Sequence, residues 1–342
     1  MNQSILRSSW SLLATVAAGL GVFALARDTK DQPVEVLHVS YDATRELWQD
    51  LNPRFIQHYA KEAGVNVSIQ QSHGGSGRQS QAVLQGQPAD VVTLASWPDT
   101  DALRKKGLLA EGWERRLPHR SLPYTSTIVF VVRQGNPKGI KDWPDLVKTG
   151  VQVVTPDPRT SGNGQLSFLA AWGSVLRQGG SEGEARAFVT RLYQQVPVLD
   201  EGARETTHTF VAKGIGDVSL TWENEAHQAV RASQGSLQIV YPSVSIRAEP
   251  HVAVVDQQVD RRKTRAVAEA YLRFLYTEEA QEVIARHFLR PSKPALLRRQ
   301  AQTFPDIELF TIQELARDWD DAQQRFFAKG GVFDRLLDSQ RK

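Results

Sequence analysis

The sequence predicts an α/β protein of two closely coupled domains, with open, mostly parallel sheets covered by helices on both faces. Short β-rich runs alternate with helical stretches along nearly the whole chain, the pattern of strand–helix–strand units. At about 150 residues per domain, 342 residues correspond to two domains. No Ser/Gly-rich or Pro-rich linker divides them, so the connections are expected to be strands that pass from one domain to the other.

The elements follow in order. Val34–Val39 reads as a strand, and Thr44–Ala63 as a helix that Pro53 should kink or split. Val65–Gln70 alternates as a strand. Arg78–Leu84 starts a helix that Gly86 ends. Val91–Ala95 is a buried-strand run and Asp99–Lys106 is helical. Thr127–Arg133 and Val151–Thr155 are strands, and Gln165–Arg177 is an apolar helix. Glu184–Tyr193, Thr206–Lys213 and Glu223–Ala232 continue as helices, with Val196–Leu199, Val218–Leu220 and Gln238–Val240 as strands among them. His251–Val255 is a strand, Arg262–Tyr276 and Ala280–Arg286 are helices, and Ile312–Ala328 is helical again.

Composition excludes several classes. At 41% hydrophobic and 23% charged residues the chain is neither collagen-like, nor low-complexity, nor a polytopic membrane protein. The net charge of +3 comes from interspersed charges, and no run of five or six like charges offers a footprint for nucleic acid. Cysteine is absent, so disulfides, thiolate metal sites, a Cys nucleophile and a lipidated Cys are all impossible.

The first residues read as an export signal. Met1–Arg7 ends in a positive charge, Trp10–Ala26 is apolar, and Ala24-Leu25-Ala26 has the small-x-small form of a cleavage site. An uncleaved anchor is the alternative. At ~1.5 Å per residue, Trp10–Ala26 spans about 25 Å, short of the ~30 Å hydrocarbon core. Cleavage after Ala26 and a mature chain working outside the cytoplasmic membrane are expected.

Four strand-to-helix turns carry the remaining signal: Ser40-Tyr41-Asp42, Ser72-His73-Gly74-Gly75-Ser76-Gly77, Thr160-Ser161-Gly162-Asn163-Gly164 and Asp200-Glu201-Gly202-Ala203. In open α/β sheets ligands bind where strands hand over to helices. Free N–H groups and about half a positive charge gather at a helix start, and such ends bind anions without Lys or Arg. Turn formation and helix capping alone also account for Gly and Ser in any one such loop. No Walker A sequence, HExxH motif or dinucleotide fingerprint occurs. His73 beside Ser76 permits either a loop histidine or a hydrolase pair. Trp222, directly after a strand, is either a packed core residue or an indole donor.

At these residues the sequence resembles the periplasmic sulfate-binding proteins. The resemblance is carried by Val39-Ser40-Tyr41-Asp42-Ala43-Thr44-Arg45-Glu46, Gln71-Ser72-His73-Gly74-Gly75-Ser76-Gly77, Pro123–Phe130, Leu169-Ala170-Ala171-Trp172-Gly173 and Trp222-Glu223-Asn224-Glu225-Ala226. Ala248-Glu249-Pro250, Ala266–Leu272 and Gly330-Gly331-Val332-Phe333-Asp334 extend it, so that it runs from about Val34 to Phe333.

The resemblance implies a two-lobed type II periplasmic binding protein, of mixed open sheets with helices on both faces, with the anion clamped between the lobes. Lobe 1 would comprise residues 34–126 and 254–300, lobe 2 residues 127–253, and a helical tail, 301–342, would pack on them. Crossings are expected near Thr127–Arg133 and Ile246–Val255. By the same resemblance Asp42, Gly162, Asn163 and Ala203 would donate backbone N–H groups. Ser76 and Ser161 would supply hydroxyls, Ser76 its N–H as well, and Trp222 its indole N–H. Independently of the resemblance, Arg45, Arg204, Glu223 and Glu225 are either ordinary surface charges or groups that orient the site from behind. A monomeric carrier without enzyme activity or cofactor is implied, delivering sulfate to the membrane permease and ATPase of an ABC importer.

Two positions depart from the family. Asn163 stands where Gly is usual in Ser-Gly-Gly, and Ala43 stands where Pro is usual; neither removes a backbone donor. A site built only of donors suits sulfate, a full dianion that offers only acceptors. Protonated phosphate needs an acceptor, whose carboxylate would repel sulfate. This requires Asp42 to contribute only its N–H, its side chain capping its own helix. Thiosulfate is the alternative ligand, then molybdate or tungstate. A secreted serine hydrolase using Ser76 and His73 is the rival from another class.

Overall fold

A computed structural model describes residues 32–340; the apolar run at 10–26 and the cleavage position after Ala26 lie outside the described residues. The first sheet is built from β1 (Val34–Tyr41), β2 (Val67–Gly74) and β3 (Val91–Leu94), interleaved with α1 (Arg45–Ala63), α2 (Ser76–Leu84) and α3 (Trp97–Lys105). A short turn, α4 (Pro118–Ser121), leads into the long strand β4 (Tyr124–Arg133). There follow β5 (Val153–Pro156), α5 (Gly162–Arg177), α6 (Glu182–Gln194), β6 (Leu199–Asp200), α7 (Ala203–Val211), β7 (Val218–Trp222) and α8 (Glu223–Ala232). Next come β8 (Leu237–Val240), β9 (Val244–Ala248), β10 (His251–Val254), α9 (Asp256–Arg262), α10 (Arg265–Phe274) and α11 (Glu278–Arg286). The chain ends in β11 (Arg290–Pro291), α12 (Pro294–Arg299), β12 (Glu308–Phe310), α13 (Trp319–Ala322) and α14 (Val332–Gln340).

Two sheets result, with strand orders β10-β3-β1-β2 and β12-β9-β4-β7-β5-β6; β8 and β11 also pair with β4. From Pro33 onward the chain forms one compact unit carrying both sheets. Strand residues alternate between two buried faces, which is why their runs read as continuously apolar. In β4, Ile128, Phe130 and Val132 pack with α5 and α6, whereas Val129 and Val131 pack with Phe210, Ala226 and Ala229 of α7 and α8. In the first sheet Val36, Val91 and Val252 face α1, α10 and α11, while Val39, Val92 and Ala253 face Val83 of α2 and Leu103 of α3. The tail extends the second core through Phe310, Phe326 and Phe333. Gly173 of α5 lies against the ring of Phe310, leaving no room for a side chain.

Several expectations are corrected. The sheets are mixed, as the two-lobed fold implies, although strand–helix alternation alone suggests mostly parallel ones: β4 runs antiparallel to β7, β8, β9 and β11. It traverses the molecule, with Tyr124 in the core of the first sheet and Ile128 in that of the second, so its direction is set by the crossing. α1 runs uninterrupted through Pro53. Pro53 and Gln49, whose carbonyl loses its helical partner, are both exposed, and water can replace the missing bond. β2 continues to Gly74 because Val39–Tyr41 pair in register with Ser72–Gly74, which makes most of the expected turn a ladder. The Ile312–Ala328 helix is broken, and Asp318 starts a new turn by accepting from the Asp321 N–H at 2.8 Å. Among the described residues no helix is long and apolar enough to cross a membrane.

Candidate functional site

Parallel pairing of β1 with β2, and of β5 with β6 and β7, brings the carboxyl ends of these strands to one side of each sheet. A helix or helical turn starts there each time: Asp42–Thr44 before α1, then α2, α5, α7 and α8. The two sets of helix starts meet. A Cβ on Gly162 would stand 2.7 Å from the Ala95 methyl and 3.6 Å from Ser76 Cβ. One on Gly75 would stand 2.9 Å from the Thr160 carbonyl oxygen, and one on Gly202 2.6 Å from Asp42 Oδ2. Asn224 Nδ2 donates to the Ala43 carbonyl at 2.7 Å. Side chains would hold these backbones apart, and glycine lets them touch.

This contact gathers Asp42, Ser76, Ser161, Gly162, Asn163, Ala203 and Trp222, the seven residues expected to bind. Ser76, Ser161, Asn163, Ala203 and Trp222 are all buried. The first N–H groups of α2, α5 and α7 lie at this junction without intrahelical partners, those of Gly164 and Arg204 being taken up by side chains. Ser161 caps α5: its Oγ accepts from the Gly164 N–H at 3.4 Å, so its own proton is free to donate.

Other side chains are engaged differently from expectation. Ser76 Oγ donates to Asp99 Oδ2 at 2.5 Å and accepts from the Ala95 N–H at 2.9 Å. Its single proton is taken, leaving the backbone N–H as the group it can offer. The Asp42 carboxylate caps a different helix from its own. Oδ2 accepts from the Arg204 N–H in the first turn of α7 at 3.4 Å. Burial raises the Asp42 carboxyl, against the opposing pull of Arg204. Asn163 contributes more than an N–H. With its amide oxygen turned toward donors, Oδ1 accepts from Trp222 N at 3.1 Å and Trp222 Nε1 at 3.2 Å, and Nδ2 donates to Ser167 Oγ at 3.0 Å.

Behind the helix starts, Arg204 forms a two-pronged pair with Glu46 at 2.8 and 2.7 Å and donates to Glu225 at 3.0 Å. Burial pushes Glu225 up to about 8 despite Arg204. Glu223, at the start of α8, pairs with a different arginine. Its carboxylate is buried against Arg290 at 2.7 and 2.9 Å and ties α8 to β11. Arg45 is exposed and, with His73, Arg78 and Arg204, lines a groove of about 620 Å³ beside the junction.

The hydrolase pair is not assembled. His73 Nδ1 bonds Ser40 Oγ at 2.8 Å and Nε2 bonds Gln71 Oε1 at 3.2 Å, while Ser76 turns to Asp99. Burial, helped by Arg45, lowers His73 to about 4, a weak base at neutral pH. No cluster of three or more metal-ligating side chains occurs among the described residues. Sequence reasoning missed Asp99, although Ser96-Trp97-Pro98-Asp99 has the spacing of a capping box that places an acid three residues after Ser96. It also missed Glu46, one turn into α1, which no local pattern distinguishes from an ordinary surface acid.

Comparison with known proteins agrees with this architecture. The profile of the bacterial extracellular solute-binding protein family matches residues 37–290. The chain is 48% identical over 323 residues to the thiosulfate-binding protein of Pseudomonas aeruginosa, covering 94% of this chain and 96% of that one. It is equally 48% identical, over 322 residues, to the sulfate-binding protein of Salmonella typhimurium, covering 93% and 98%. Among solved structures it resembles the sulfate-binding protein SubI of Mycobacterium tuberculosis, with a TM-score of 0.79 and 33% identity over 86% of this chain and 99% of that one. A periplasmic thiamin-binding protein, 16% identical with a TM-score of 0.66, shares the fold. The family profile and near-half identity over almost the full length of these relatives lead to one conclusion: the chain belongs to the bacterial extracellular solute-binding proteins, on the branch that holds the sulfate- and thiosulfate-binding proteins.

Proposed function

We propose that this protein binds sulfate or thiosulfate outside the cytoplasmic membrane and hands it to the permease and ATPase of an ABC importer. One observation carries the reading: helix starts from both sheets converge on a buried junction, and the nearby carboxylates are turned to partners of their own. The groups left to face an anion are N–H groups of Asp42, Ser76, Gly162, Asn163 and Ala203 and the Ser161 hydroxyl. They compensate a dianion by dipoles spread over several helices, without burying a countercharge, which would cost several kcal/mol per ion. The engagement of Asp99 with Ser76 and Ser96, and of Asp42 with the Arg204 N–H, supports the exclusion of phosphate. Nearly equal identity to a sulfate-binding and a thiosulfate-binding protein supports both ligands.

In this reading residues 34–126 with 254–300, and 127–253, are lobes that close on the ion; such hinge closure is a known mode for binding proteins. The tail 301–342 packs on them, the export signal is cut after Ala26, and a monomer carries the ion without chemical change.

Calorimetric titration of the protein recovered from the periplasm, with sulfate, thiosulfate, molybdate and phosphate, tests the reading. Sulfate and thiosulfate should bind far more tightly than phosphate, and the mass should correspond to a chain starting at Arg27. Phosphate binding tighter than both would refute it.

A further inference from the structure

The side chain of Asn163 is buried at the junction of the helix starts and reaches Trp222, whose indole is one of the uncharged donors gathered there. Its amide lies at the second position of α5, 1% exposed. Oriented with donors on acceptors, Oδ1 receives both the backbone N–H of Trp222, at 3.1 Å, and the indole N–H, at 3.2 Å. The opposite orientation would set the NH2 group against both donors. The indole has one hydrogen and no acceptor, so a proton given to Asn163 is not available to a ligand at full strength.

We propose that Asn163 is a specificity-determining residue that withdraws the Trp222 indole N–H from the ligand and shifts the preference from sulfate toward thiosulfate. The proposal rests on the oxoanion reading above. Four oxygens of sulfate all require donors, and an oxygen facing the indole without one loses a charge-assisted hydrogen bond. In thiosulfate one oxygen is replaced by sulfur, a larger and weaker acceptor. Placed against the edge of the Trp222 ring, that sulfur forfeits little, because sulfur accepts hydrogen bonds weakly and makes favourable contacts at aromatic edges. The loss of one donor therefore penalises sulfate and leaves a position suited to sulfur. Ser161, Gly162 and the other helix starts hold the three remaining oxygens in either ligand.

The test combines a ligand-free and a ligand-bound measurement on the exported protein. In the ligand-free state, the indole N–H resonance of Trp222, identified among eight tryptophans by its loss in Trp222→Phe, should move and exchange faster with water in Asn163→Ala. In titrations, Asn163→Ala should shift the sulfate-to-thiosulfate affinity ratio toward sulfate by about tenfold, the worth of one hydrogen bond to a charged group. Trp222→Phe should cost more sulfate affinity in the Asn163→Ala background than in the wild type. An indole resonance unmoved by Asn163→Ala, an unchanged affinity ratio, or an equal cost of Trp222→Phe in both backgrounds would each overturn the proposal. Failure of the wild type to bind either oxoanion would overturn the functional reading and the preference, while the indole measurement would still decide the Asn163–Trp222 pair.

Discussion

Gly162 offers a direct measure of how closely the two sets of helix starts must meet. In Gly162→Ala the new methyl lies 2.7 Å from the Ala95 methyl. Carbon atoms attract best at about 3.5–4.0 Å, so the two backbones must separate by about 1 Å. A donor–acceptor distance near 2.9 Å then becomes about 3.9 Å, beyond hydrogen-bonding range. Losing two such bonds to a charged ligand, at roughly 1.5–3 kcal/mol each, weakens binding by about 3–6 kcal/mol, or at least a hundredfold. The ligand-free melting temperature should fall as well, because a methyl forced into a closed contact costs about 1–3 kcal/mol. The assay is calorimetric titration with sulfate and thiosulfate beside thermal denaturation without ligand. Ala95→Gly removes the opposing methyl, and the neighbouring Ser76 Cβ at 3.6 Å is an ordinary contact, so the double variant should recover most of the affinity. A Gly162→Ala protein binding within about threefold of wild type, or an Ala95→Gly partner that restores nothing, would show that the helix starts do not meet on the ligand.

Three further outcomes follow from the bonding of the two serines and of Glu225. Ser161→Ala should weaken sulfate binding by about 1.5–3 kcal/mol with a small change in stability, because its proton is free. Ser76→Ala should do the reverse, lowering the melting temperature through a buried Asp99 short of a donor and leaving most of the affinity, as parallel melts and titrations would show. Glu225 gives a pH dependence with a definite sign. Burial holds its carboxyl at about 8, so below that pH it is neutral, and ionisation above it adds a negative charge behind α7. Anion affinity should therefore fall as pH rises through about 8, whereas folding stability should fall from the ordinary carboxylate range up to about 8 and level off above it. Glu225→Gln should flatten both profiles in titrations between pH 6 and 9.

Much of the fold was legible because burial on both faces writes strands as apolar runs and helices as periodic ones. β4, α5 and α8 lie close to where their patterns place them. Boundaries failed where pairing decided them: nothing local in Ser72-His73-Gly74 shows that these residues extend a ladder with β1. The tail helix failed because its apolar residues serve the second core from several short turns.

The site divides in the same way. The order of residues along the chain determined which groups are donors without charge, since Gly, Ser and Trp at strand-to-helix turns carry that chemistry wherever they lie. It also determined the family, through blocks spread from Val34 to Phe333. Only the tertiary structure decided which of those donors are free. A hydrogen bond is spent on whatever acceptor lies within about 3 Å, and that acceptor comes from a distant part of the chain. Thus Asp99 takes the Ser76 proton, Arg204 turns the Asp42 carboxylate to another helix, and Asn163 meets Trp222.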